Sequence, residues 1–152
     1  MLIYLLRHGD APFDSDCGER SLSSQGEAET RNVVTQHFDS LSKIPLILCS
    51  PTLRARQTLQ VVTKTLNYRG ELIFEDSLRS GGRLNDVEAR IDSLTDVDQV
   101  LLLSHQPLIG QILEYLTDKQ GIGWSMSTSS LVCLDAITFS RGCAQMVWHT
   151  SP

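Results

Sequence analysis

The sequence predicts an α/β fold, a three-layer sandwich with a mostly parallel central sheet, an antiparallel edge strand and helices on both faces. Three observations support this. Short apolar runs at Leu2–Leu6, Leu46–Cys49, Leu72–Phe74 and Val100–Leu103 are nearly continuous rather than alternating, the pattern of parallel strands covered on both sides. Amphipathic stretches with helical spacing separate the runs, and this strand-helix order builds sandwiches. The chain closes with two strand-like segments, Leu131–Phe139 and Ala144–His149, around Ser140-Arg141-Gly142, which reads as a hairpin.

The helices follow in order. Ser24 with Glu27 forms a capping-box pattern that opens a helix through about residue 40, with Ala28, Val34, Phe38 and Leu41 facing inward. Ser50-Pro51 reads as a cap followed by proline at the first helical position. The helix it opens carries Ala55, Leu59, Val62 and Leu66 on one face. Val87, Ile91 and Leu94 mark a short helix, and Leu108, Ile112, Leu113 and Leu116 another. Residues 11 to 24, rich in Ser, Asp and Gly, read as a surface loop.

With 152 residues the chain suits one domain spanning 1–152, large enough for a substantial core. A net charge of -5 argues against a nucleic-acid binder, though a local basic pocket is compatible with it. The apolar run before Arg7 is too short for a signal peptide, and no stretch is long enough to span a bilayer. Cys17, Cys49, Cys133 and Cys143 are scattered without zinc spacing. They read as reduced thiols of a cytoplasmic protein. No apolar heptad or spare amphipathic helix remains, so a monomer is expected.

Ligands of open α/β sheets sit beyond the carboxyl ends of the strands. The first strand ends at Arg7-His8-Gly9, the second at Cys49-Ser50-Pro51 with Arg54 one turn further, and the strand at 100–103 at Ser104-His105-Gln106-Pro107. If these strands are neighbours, two arginines and two histidines converge. Arg7 can fork onto phosphoryl oxygens, His8 can offer a ring nitrogen to phosphorus, and Gly9 permits a sharp turn and a close ligand approach. Helix amino-termini after Ser50 and Pro107 would add positive potential. Taken singly, each residue is ordinary, and the conjunction is what points to a site. His37 and His149 are assigned no function, and Arg56 points to another helix face.

Four segments, Leu6-Arg7-His8-Gly9, Leu22-Ser23-Ser24-Gln25-Gly26, Ser50-Pro51-Thr52-Leu53-Arg54-Ala55-Arg56-Gln57-Thr58 and Leu103-Ser104-His105, resemble in kind and order the histidine phosphatase superfamily with its phosphoglycerate-mutase-like fold. Within that superfamily the short length, the Arg-His-Gly-Asp-Ala opening and Arg20 are most similar to SixA-type phosphohistidine phosphatases. The resemblance implies a phosphorylated nucleophile at His8 and a phosphate pocket of Arg7, Arg54 and His105. Arg20 is either a further phosphate contact or a solvated loop residue. No metal or other cofactor is expected, because arginines take the place of divalent cations.

The sequence departs from that pattern at the general acid. Many members carry a carboxylate in the loop after the third strand, but here Arg79 follows Leu78 in Glu75-Asp76-Ser77-Leu78-Arg79. Asp10, Asp76 and Asp86 remain as candidates. An alkoxide leaves badly without an acid, whereas imidazole, with a pKa of about 6.5, needs much less help. The pattern therefore favours a phosphohistidine substrate on another protein, for example a histidine phosphotransfer domain, with Arg20, Arg79 and Arg83 as a basic rim or merely solvated residues. The alternatives are a small-molecule phosphomonoesterase of the same fold and a non-catalytic phosphoprotein-binding module. Phosphate or another oxyanion is the expected pocket ligand, with no nucleic acid or membrane partner.

Overall fold

A computed structural model describes residues 1–13 and 18–152. Its sheet has six strands in the order β3-β2-β4-β1-β5-β6. These are β1 (Leu2–Arg7), β2 (Leu46–Cys49), β3 (Glu71–Phe74), β4 (Gln99–Ser104), β5 (Leu131–Ala136) and β6 (Ala144–Thr150). The first four are mutually parallel, and β5 runs antiparallel to both β1 and β6. The helices are α1 (Ser24–Gln36), α2 (Phe38–Leu41), α3 (Leu53–Leu66), α4 (Leu84–Asp92) and α5 (Leu108–Thr117). Among the described residues, no helix is long and apolar enough to cross a membrane.

The continuous apolar runs have a simple cause. Successive side chains of β1 alternate between two cores. Ile3 and Leu5 join Leu48, Leu102, Ile109 and Leu113 on the face covered by α4 and α5. Tyr4 and Leu6 join Ile47, Leu101, Val34 and Val62 on the face covered by α1 and α3. Each fully buried Leu or Ile contributes roughly 1.5–3 kcal/mol, so the inner strands are strongly held in register. β3 departs from this pattern. It was expected to be buried, but it is an edge strand in which Leu72 is 45% and Phe74 56% exposed.

Some helix expectations shift. The cap of α1 is Ser23 rather than Ser24, its hydroxyl accepting from the Gly26 amide. Gly26 must face the β1 turn, because a Cβ there would lie 2.5 Å from the Asp10 carbonyl oxygen. The buried face is consequently Gly26, Thr30, Val33 and Val34, and Ala28 is exposed. The helix also breaks at His37, whose ring stacks on Trp148 at 3.7 Å and lies 2.7 Å from the Thr150 hydroxyl. Phe38 is left 43% exposed after that break. The cap expected at Ser50-Pro51 is displaced to Thr52, and α3 starts at Leu53. The predicted faces of α3 and α5 are buried, and Leu94 lies just past the end of α4, half-buried. Cys49 and Cys133 are buried, Cys143 is half-buried, and all three are free among the described residues. Cys17 lies outside the described residues.

Candidate active site

Strand register brings the carboxyl ends of β1, β2 and β4 together. Arg7 pairs with Ser104, the His8 amide donates to the Ser104 carbonyl at 3.1 Å, and the Ser50 amide donates to the Leu103 carbonyl at 2.9 Å. On the other side, the Ser129 amide donates to the His8 carbonyl at 3.1 Å. The turn after β1 is thus clamped from both neighbours.

His8 is buried, with 4% exposure. Its Nδ1 lies 2.7 Å from the Gly9 carbonyl oxygen. A carbonyl can only accept, so Nδ1 carries the hydrogen and Nε2 keeps its lone pair. Arg54 Nε donates to that Nε2 at 3.2 Å. Burial first, and then the guanidinium groups of Arg54, Arg7 and Arg20, push the His8 pKa down to about 4 against the opposing pull of the Gly9 carbonyl. The ring is therefore neutral near pH 7, with its Nε2 lone pair directed at the Arg54 guanidinium.

His105 lies beside it, the ring centroids 4.9 Å apart. It is 1% exposed. Burial and then His8, Arg54, Arg20 and Arg7 push its pKa down to about 3. Its Nε2 lies 2.7 Å from Ser50 Oγ and 3.2 Å from Thr52 Oγ1. This contact explains the displaced helix cap, since both hydroxyls turn to the imidazole and Thr52 makes no side-chain cap bond. Arg7 donates from Nη1 to the Met126 carbonyl at 2.9 Å. Among the described residues, Arg7 Nε and His105 Nδ1 are buried without a hydrogen-bond partner. Groups of this kind are rare and mark ligand positions.

All four expected residues, Arg7, His8, Arg54 and His105, are thus gathered at one point. Arg20 is half-buried. Its charge depresses the pKa values of Arg7, His8, Arg54 and His105 alike, which puts it within electrostatic reach of the whole cluster. None of Arg7, Arg20 and Arg54 has a carboxylate partner among the described residues. Three arginines gathered beside two neutral histidines suit a multiply charged anion, although Glu19 partly offsets the charge near Arg54.

Gly9 also has a structural part to play beside the expected close ligand approach. Its amide donates to Thr58 Oγ1 at 3.0 Å, and its carbonyl orients His8. A Cβ at Gly9 would come within 2.6 Å of Leu22 and 2.9 Å of the Gly26 carbonyl oxygen, so tight chain packing explains the glycine. Thr58 also donates to the Arg54 carbonyl at 2.8 Å, tying the nucleophile turn to the first turns of α3. Gln57 accepts the Leu22 amide at 2.7 Å, and Ser23 donates to Asp10 at 2.6 Å. These bonds fix the segment that follows Arg20.

The candidate acids are all engaged. Asp10 accepts from Ser23, Asp76 pairs with Arg79 at 2.7 Å, and Asp86 pairs with Arg83 at 2.9 Å. Glu75 takes both the Ser77 amide and Arg90. Arg79 and Arg83 are accordingly neutralised rather than forming a basic rim. Asp76, Arg79 and Asp86 line an open groove of about 730 Å³ that reaches the cluster through Thr52. Among the described residues, no group of His, Cys, Asp and Glu is arranged to hold a metal ion.

Sequence reasoning missed Ser50, Thr58 and the Met126 carbonyl. Ser50 and Thr58 lie in the segment from 50 to 58 that had been singled out, where the four-residue step from Arg54 to Thr58 puts both on one helix face. The Met126 carbonyl leaves no side-chain signal.

A parallel sheet with a buried neutral histidine, a second histidine and clustered arginines at its strand ends is the architecture of a phosphoryl-handling family. The sequence profile of the histidine phosphatase superfamily (branch 1) matches residues 3–80, and the chain belongs to that superfamily. It is 32% identical over 155 residues to the phosphohistidine phosphatase SixA of Escherichia coli (strain K12), covering 100% of this chain and 94% of that protein. It is 29% identical over 133 residues to a SixA homolog of Haemophilus influenzae, covering 79% of each. The solved structure of the protein histidine phosphatase SixA complexed with tungstate matches with a TM-score of 0.88 at 30% identity, covering 100% of this chain and 97% of that one.

Proposed function

We propose that this chain is a protein phosphohistidine phosphatase, a single domain over residues 1–152, in which His8 is the nucleophile. The observation that carries this reading is the state of His8. Its Nδ1 hydrogen is held by the Gly9 carbonyl, its Nε2 lone pair, which accepts from Arg54 Nε, becomes available to phosphorus when that guanidinium turns to the phosphoryl oxygens, and its low pKa keeps it neutral. Nε2 attacks the phosphoryl group, and the bond from phosphorus to the substrate imidazole breaks. The leaving imidazole takes a proton from solvent. Water then attacks the phosphohistidine on the enzyme, releasing inorganic phosphate and restoring His8. Arg7, Arg54 and His105 bind the phosphoryl oxygens and stabilise the charge spread over them in the transition state. Arg20 adds a further cation at the rim.

The substrate class follows from leaving-group chemistry. Among the described residues, the candidate acids Asp10, Asp76 and Asp86 are each already engaged, which leaves an alkoxide without help from them, whereas imidazole leaves with little help. SixA is named for phosphohistidine, and an oxyanion accompanies the solved SixA structure. The partner on this reading is a phosphorylated protein such as a histidine phosphotransfer domain, met by a monomer in the cytoplasm without a metal or other cofactor.

The test compares release of phosphate from a phosphohistidine-bearing protein with release from an alkyl phosphate, with His8→Ala as control. Fast release from phosphohistidine, slow release from the ester and none in the variant support the reading. Comparable turnover of the ester would favour a small-molecule phosphomonoesterase. Binding without turnover would leave a phosphoprotein-binding module.

A further inference from the structure

His105 is held by its far nitrogen. Ser50 Oγ lies 2.7 Å from Nε2, the shorter of its two hydroxyl contacts, and Nδ1 has no partner among the described residues. Ser50 is itself fully buried and its backbone is pinned by the Leu103 carbonyl. It cannot move away without breaking the pairing of β2 with β4.

We propose that Ser50 is a positioning residue that sets the tautomer of His105. Its hydroxyl donates to Nε2, so the single ring hydrogen resides on Nδ1 and points a neutral donor at the bound phosphoryl group. The inference rests on the phosphoryl-transfer reading of the site.

Proton counting supports the assignment. A neutral imidazole has one N–H and one lone pair. The Thr52 amide donates toward Ser50 Oγ at 3.5 Å, so that oxygen already has a donor and its own hydrogen is free for Nε2. The opposite tautomer would put a bare Nδ1 lone pair beside a phosphoryl dianion. The low pKa of His105, about 3, withholds the doubly protonated form that would make the choice irrelevant. Three cations already crowd the recess, and a donor that adds no charge avoids further repulsion among them before the anion arrives.

The experiment reads the nitrogen-15 shifts of the His105 ring, with and without inorganic phosphate, in the wild type, Ser50→Ala, Ser50→Thr and Thr52→Val. The wild type is expected to show hydrogen on Nδ1 and a bare Nε2 in both conditions. Ser50→Ala should move a large share of the hydrogen to Nε2 and weaken phosphate binding about tenfold. Ser50→Thr, which keeps the hydroxyl, and Thr52→Val, which removes only the longer contact, should both keep the wild-type tautomer. Hydrogen on Nε2 in the wild type, or on both nitrogens with phosphate bound, would overturn the proposal. So would an unchanged tautomer in Ser50→Ala. If Ser50→Ala does not fold, the wild-type spectrum and Thr52→Val still decide, since loss of the tautomer in Thr52→Val would assign the role to Thr52. The tautomer is read without turnover, so it stands or falls separately from phosphohistidine release, which is assayed on the wild type and His8→Ala.

Discussion

Replacing Thr58 by Val keeps the shape of a fully buried side chain and removes its hydroxyl. Two bonds are lost, the one accepted from the Gly9 amide at 3.0 Å and the one donated to the Arg54 carbonyl at 2.8 Å. The orphaned Gly9 amide is buried, at a cost of about 1–3 kcal/mol. The added methyl offsets roughly 0.8 kcal/mol of this. The net loss is about 0.2–2 kcal/mol, or up to roughly 8 °C in Tm for a domain of this size. The same hydroxyl fixes the turn whose carbonyl orients His8, so kcat should fall about tenfold, which corresponds to about 1.4 kcal/mol of transition-state stabilisation. The assay pairs urea denaturation followed by circular dichroism with steady-state phosphate release. Thr58→Ser retains the hydroxyl and serves as control. It should lose stability through the missing methyl and yet keep kcat within about twofold. If Thr58→Val keeps wild-type kcat, or if both variants lose it equally, Thr58 does not act through the Gly9 turn.

Three further outcomes are expected. Folded pKa values of about 4 for His8 and about 3 for His105 lie below the ordinary 6.5, so between those limits the unfolded chain binds protons that the folded one refuses. Stability should be level above about pH 6.5 and fall by several kcal/mol as pH drops towards 3. Denaturation midpoints rising on acidification would contradict both assignments. Arg20→Ala should raise the His8 and His105 pKa values by removing one cation and weaken phosphate binding several-fold. Histidine NMR titration and calorimetry check this, and unchanged titrations would return Arg20 to the solvated loop. Ser23→Ala removes the cap of α1 and the bond to Asp10, and should cost about 1 kcal/mol as read by denaturant unfolding.

The parts of the fold set by local pattern were readable. The runs at 2–6, 46–49 and 100–103 are inner strands that fill two cores at once, which is why they carry no polar face. The face of α3 was equally plain, because Ala55, Leu59, Val62 and Leu66 satisfy one period. The errors fell where a distant contact overrode a local signal. Ser50-Pro51 has the form of a helix start, but the Ser50 hydroxyl is taken by an imidazole 55 residues away. The first helix breaks at His37 because of Trp148 and Thr150, whose proximity no window of the sequence reveals. Leu72 and Phe74 look like core residues, but strand order alone decides which apolar run becomes the edge. Within the site, Arg7, His8, Arg54 and His105 were legible as strand-end residues. Met126 was not, since a main-chain carbonyl carries no residue signature.

The gathering of Arg7, Arg20 and Arg54, in which Arg20 depresses the pKa values of the other two, makes this part of the folded state internally repulsive, and an anion relieves that repulsion. A ligand that binds only the folded chain stabilises it by an amount that grows with the logarithm of its concentration, about 2.7 kcal/mol at one hundred times its Kd. Inorganic phosphate, the product of the proposed reaction, is such a ligand. Product occupying the recess would slow turnover and protect the fold through the same contacts, so the melting temperature of the protein and its degree of product inhibition should rise together as phosphate accumulates.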